Sequence, residues 1–151
     1  MVVGGAKRTI AMIVISSGLA MTVAACAGPG GARSGNPEPL VGTQWLAQTI
    51  EGRQASLYPA STVRFDIGQR ITGNAGCNSF NGTIGYSGNQ LAVGPLAATR
   101  MMCPPEVMSQ EAAFLQALQT AQRFAVSDWL LTLYGPSGNV QMTLTRMTEP
   151  M

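Results

Sequence analysis

Arg70-Ile71-Thr72-Gly73-Asn74-Ala75-Gly76-Cys77-Asn78-Ser79-Phe80-Asn81-Gly82 is the stretch that decides the fold. It starts as a short strand pattern over Arg70–Ala75 and then runs into glycine and asparagine, the residue types that tolerate left-handed or bulged backbone. The chain must therefore bend here, and Asn78 is a residue that hydrogen-bonds backbone amides of its own turn. A bulge at this point aims Cys77 at Cys103 and leaves Phe80 to pack inward. The competing reading is a polar pocket lined by Asn74, Asn78, Ser79 and Asn81, with Arg100 nearby as an anion-binding candidate. The turn is the better reading, because asparagine in a glycine-rich turn usually serves its own backbone.

Outward from this turn, alternation of apolar and polar residues dominates. Val63, Phe65 and Ile67 alternate with Thr62, Arg64 and Asp66. Leu131 and Leu133 alternate with Thr132 and Tyr134, and Met142 and Leu144 alternate with Gln141, Thr143 and Thr145. Each pattern buries one face of a strand and wets the other. Gly135-Pro136-Ser137-Gly138-Asn139 joins the last two runs as a hairpin connection. Weaker strands are predicted at Trp45–Ile50, Gly82–Tyr86, Gln90–Val93 and Phe124–Ser127. Only Pro105–Gln122 breaks the pattern: Val107, Phe114, Leu115, Leu118 and Ala121 follow helical spacing behind a proline start and an acidic first turn. Arg123 suits the opposite pole of that helix dipole. About eight short strands and one amphipathic helix predict a mostly β fold, a small antiparallel barrel or strongly curved sheet with the helix over an opening.

The composition excludes several kinds of chemistry. The 151 residues carry nine Lys+Arg against seven Asp+Glu and no histidine. A net charge of +2 is too small for a nucleic-acid footprint. Without imidazole there is no Ser–His or Cys–His nucleophile and almost no zinc enzyme site.

The first residues read as a leader. Lys7 and Arg8 precede apolar runs at Ile10–Ile15 and Leu19–Val23, and Val23-Ala24-Ala25-Cys26 resembles the bacterial lipobox. A membrane span would need about 20 apolar residues, and Ser16-Ser17-Gly18 interrupt this one. Residues 1–25 are thus expected to be a lipoprotein signal peptide, with Cys26 lipidated and anchoring the chain to a membrane outside the cytoplasm. Residues 26–39, rich in Gly and Pro, read as a tether, and residues 40–151 as the domain. Loss of the leader removes the only lysine and leaves seven arginines against seven acids. Schiff-base and phosphate-loop lysines are then absent as well.

If Cys26 carries lipid, Cys77 and Cys103 are left to pair across a loop of 27 residues. A disulfide persists in such a compartment; two separate buried thiols are the alternative.

Three ordered stretches resemble the META/HslJ family of small envelope lipoprotein domains: Leu40–Leu46, Arg70–Gly82 and Leu96–Cys103, the last followed by the helix with Glu111, Phe114 and Leu118. The resemblance spans Leu40 to Arg146 and implies a small barrel-like β domain with one helix. It implies association with stress or antibiotic tolerance in some bacterial members and no defined catalytic activity.

The remaining candidates are weaker. Met101-Met102-Cys103 offers soft ligands for Cu(I), but oxidation of Cys103 would remove the thiolate, and no metal or cofactor is expected. Glu51, Asp66, Glu106, Glu111 and Asp128 supply carboxylates without a spacing that singles out a hydrolytic pair, and most should be solvated. Trp45 and Trp129 are expected to be core anchors, with ligand-stacking rings as the alternative. The sequence therefore predicts a non-enzymatic lipoprotein that binds or supports an unidentified envelope component. The alternatives are an inhibitor or small-ligand module and, last, a carboxylate-dependent hydrolase.

Overall fold

Val63 and Phe65 are buried while Arg64 between them is exposed, as the alternation requires of a strand with one wet face. The computed structural model describes residues 40–148; the leader, Cys26, the linker and Glu149–Met151 lie outside the described residues. Among the described residues ten strands form: β1 (Thr43–Ile50), β2 (Arg53–Gln54), β3 (Thr62–Asp66), β4 (Arg70–Asn74), β5 (Ser79–Ser87), β6 (Gln90–Val93), β7 (Ala97–Ala98), β8 (Arg123–Ser127), β9 (Leu130–Tyr134) and β10 (Val140–Met147). One helix, α1 (Pro105–Thr120), lies between β7 and β8.

Eight of these strands close a barrel in the order β1-β3-β4-β5-β6-β8-β9-β10, with β10 pairing back to β1 and every pairing antiparallel. The strands follow one another around the wall in chain order, and α1 occupies the one long connection. The short β2 and β7 flank β1 and β5 and add nothing to closure. The weakest seam is β6 to β8, where Gln90 faces Arg123 as the only residue pair.

An eight-stranded barrel is just wide enough for side chains to fill. Trp45, Phe65, Ile71, Ile84, Leu131, Leu133, Met142 and Leu144 fill it, each no more than 2% exposed. From the helix, Phe114, Ala117 and Leu118 complete this core, and Phe80 meets Phe114 edge to face at 5.8 Å.

Because neighbours alternate in direction, β1, β4, β6 and β9 start at one end of the barrel and finish at the other. The finishing end carries the Ala75–Asn78 connection and is covered by the first half of α1, which hydrogen-bonds to Ser56, Ser61, Cys77 and Asn78. Among the described residues nothing covers the starting end in this way; there Val41 opens the domain, Ile67 sits in the β3–β4 turn, and Asp128-Trp129 make the β8–β9 turn.

Some expectations need correction. Ile67 is 83% exposed, because β3 ends at Asp66 and the chain turns through Gly68 and Gln69, both at positive φ. Trp129 is 61% exposed in its turn and is no core anchor, whereas Trp45 is. The helix stops at Thr120, where Ala121 turns extended, so Arg123 belongs to β8 and no basic residue stands in the last helical turn. Residues 75–78 form a hairpin connection between paired Asn74 and Ser79, not a bulge. Among the described residues no helix is long and apolar enough to cross a membrane.

Candidate functional site

The quoted stretch closes into a knot of polar contacts beneath α1. Asn74 Oδ1 accepts from the Gly76 amide at 2.8 Å, the local turn contact expected of asparagine. Gly76 has φ of 128°, which favours glycine. Gly73 is needed for a different reason, since a Cβ there would run into the Thr62 carbonyl and the Phe80 ring.

Asn78 does not serve its own turn. Its Oδ1 accepts from the Met101 amide at 2.7 Å and the Thr99 hydroxyl at 2.8 Å. Its Nδ2 donates to Glu111 Oε1 at 2.8 Å and to the Met101 carbonyl at 3.3 Å. The Cys77 and Asn78 amides donate to Glu111 Oε2 at 3.1 and 2.7 Å. Cys77 and Cys103 form a disulfide with Cα atoms 6.0 Å apart, inside the usual range. Three chain segments (the hairpin connection, the Thr99–Cys103 segment and the helix) are thus joined by one carboxylate, one amide and one disulfide.

Glu111 is the residue the sequence reading missed. Most of the candidate acids are expected to be solvated, yet this one is 6% exposed. Its spacing held the signal: it stands three residues before Phe114 and seven before Leu118, on the buried face. With three donors on its two oxygens, this carboxylate organises backbone.

The other candidates scatter. Ser79, Asn81 and Arg100 are exposed, and Ser79 and Asn81 border a shallow depression of about 260 Å³ with Ala97 and Thr99. Asn74 and Asn78 are not part of it. Met101 and Met102 project outward beside the disulfide, and among the described residues no group of three His, Cys, Asp or Glu is placed to hold a metal.

At the uncovered end lies a groove of about 640 Å³, lined among others by Thr43, Arg64, Asp128, Trp129, Arg146 and Met147. The two-residue turn between β8 and β9 pushes Trp129 outward, and the Arg146 amide donates to the Trp129 carbonyl at 2.9 Å. The Arg146 guanidinium lies 6.0 Å from the Trp45 ring centroid, a cation–π distance. Arg64 pairs with Asp66 at 2.9 Å, and Thr72 donates to the same carboxylate at 2.8 Å. An exposed indole beside guanidinium groups can pack on an apolar or aromatic surface while holding an anion.

The META domain family model matches residues 38–148. The chain belongs to the META domain family. Among solved structures, this META domain resembles an NMR structure of a protein from Burkholderia xenovorans, with 23% identity, TM-score 0.64, and coverage of 82% of this chain and 96% of that one. A second NMR structure matches at 23% identity and TM-score 0.60, covering 73% and 93%. A crystal structure of a DUF4847 family protein from Bacteroides vulgatus ATCC 8482 matches at 12% identity and TM-score 0.56, covering 76% and 99%. These likenesses show the fold. Comparison with curated proteins gives no match.

Among the described residues of the META barrel, one buried side-chain polar atom lacks a hydrogen-bond partner. At the β6–β8 seam the Tyr86 hydroxyl is enclosed with no hydrogen-bond partner, and burial pushes its phenol up to about 12. The folded state therefore holds the proton more tightly than the unfolded chain, whose tyrosine titrates near 10. Stability from this difference is intact below about pH 10 and is lost as pH rises toward 12. Tyr86→Phe should raise stability at neutral pH by about 1 kcal/mol, by removing an unpaired hydroxyl, and should flatten the alkaline decline. Urea unfolding of both proteins at pH 7 and across pH 10–12 checks this; an unchanged alkaline slope would show that other groups set it.

Proposed function

We propose that this META domain is the working part of a lipoprotein, lipidated at Cys26 and held at a membrane surface in the cell envelope, where it binds or supports another envelope component without catalysis. One observation carries the non-catalytic reading: the barrel is filled by its own side chains, and its buried carboxylate is fully engaged by structural donors. Asp66 is held by Arg64 and Thr72. Glu51 and Asp128 stand at opposite ends of the barrel, so those two acids do not converge. The disulfide supports a compartment outside the cytoplasm, and the Val23-Ala24-Ala25-Cys26 motif supports the anchor.

The inhibitor or small-ligand reading shifts in location. A filled interior leaves no room for an apolar guest, so a ligand would use the groove beside Trp129. The anchor is tested by Cys26→Ala in the full chain. The variant should move from the membrane to the soluble fraction; membrane partitioning equal to that of the parent would defeat the lipoprotein reading.

A further inference from the structure

We propose that the uncovered end of the barrel is a docking face for an anionic lipid surface, seating the tethered domain with Trp129 at headgroup level. The proposal rests on the lipoprotein reading above. Val41, Ile67, Trp129, Leu130 and Met147 all project at this end, with exposures from 36% to 83%. They come from the residues just before β1, the β3–β4 turn, the β8–β9 turn with the first residue of β9, and the end of β10, so they ring one rim. Arg64, Arg70 and Arg146 stand at the same end against Asp66 and Asp128. Asp66 already accepts from Arg64 and Thr72. An indole with an apolar ring and a polar N–H, flanked by arginines, suits the boundary between headgroups and acyl chains.

The tether selects this end over the other. Leu57, Tyr58, Met101 and Met102 also project from the barrel, at the end covered by α1. The chain, however, enters the domain at Leu40 and Val41, on the uncovered rim. From Cys26 to Pro39 there are 14 residues. A glycine-rich chain of that length has a root-mean-square span of roughly 20 Å. Lipid on Cys26 would therefore hold the rim that contains Trp129 next to the headgroups, and would have to reach past the barrel wall to present the other end. At the high local concentration a tether of this length creates, weak contacts are enough to set orientation.

The experiment uses the full chain processed in the cell, purified from membranes, and reconstituted into phosphatidylglycerol vesicles with acyl chains brominated near the headgroup. Flotation reads the anchor, and tryptophan emission reads the docking. The exposed Trp129→Phe substitution isolates the contribution of the buried Trp45. The proposal expects flotation with the vesicles, loss of Trp129 emission, and weaker loss in phosphatidylcholine vesicles or at high salt. Flotation with Trp129 unquenched and still open to acrylamide would overturn the docking face while leaving the anchor standing. Failure to float would overturn both. Equal quenching in phosphatidylcholine would overturn the anionic preference. Acrylamide protection that appears only on adding cell-wall fragments would assign the rim to a different partner and overturn the lipid assignment.

Discussion

Glu111→Ala should lower the unfolding free energy by about 3–5 kcal/mol, a large share of the 5–15 kcal/mol typical of a domain. The substitution removes the acceptor for the Cys77 amide, the Asn78 amide and Asn78 Nδ2. A buried donor left without a partner costs about 1–3 kcal/mol, and bonds to a charged acceptor are the stronger kind. Water entering the vacated space recovers part of this. Helix propensity slightly favours alanine, so the loss cannot be charged to the helix itself. Urea unfolding measures the effect. A loss below about 1 kcal/mol would mean that the three donors find other acceptors, and Glu111 would lose the role assigned to it.

Glu111→Gln sharpens the same test. An amide oxygen can still accept from the two backbone amides, but its NH₂ then faces Asn78 Nδ2, donor against donor. Asn78 cannot turn over to relieve this, because its Oδ1 is held by the Met101 amide and the Thr99 hydroxyl. A cost of about 2 kcal/mol, between the parent and alanine, is expected if this fixed orientation holds.

How much of this was legible depended on whether a residue answers to local rules. Strand alternation is local, and it marks β3, β9 and β10 outright, because one wet face and one buried face recur every two residues; the other five barrel strands carry a weaker pattern and are found only as weaker candidates. It failed at Ile67, where the apolar pattern runs on but the pairing ends in a turn, and the separate expectation of a buried Trp129 failed because that residue stands in the β8–β9 turn. The two-residue connection between β8 and β9 was the available sign, since it forces Trp129 into the turn whatever its hydropathy. Asn74 follows the local asparagine rule, whereas Asn78, next to the disulfide-bonded Cys77 in the hairpin connection, reaches a segment more than twenty residues away. No local rule predicts that contact. The uncovered groove was illegible for the same reason, being assembled from β1, β3, β10 and a turn that only closure of the barrel brings together.

Removing the Cys77–Cys103 bridge should cost about 3.5 kcal/mol on the chain-entropy account of a closed loop of this size. Its action is mainly on the unfolded chain, which gains freedom when the loop opens. Glu111 acts on the folded state, holding the same Ala75–Asn78 connection against the helix. If the two acted independently, Cys77→Ser with Cys103→Ser would add to Glu111→Ala. We expect the combined loss to fall short of the sum by about 1 kcal/mol, within the range seen for residues that share a network. With both ties gone, the connection and the Thr99–Cys103 segment can lift away while the Phe80–Phe114 contact keeps the core assembled. The folded protein then escapes part of the penalty by opening locally. Hydrogen exchange at the Cys77 and Asn78 amides distinguishes the two pictures: fast exchange in the combined variant, with protection kept in β9 and β10, marks local opening. Full additivity with both amides still protected would show that the disulfide and the carboxylate hold the connection independently.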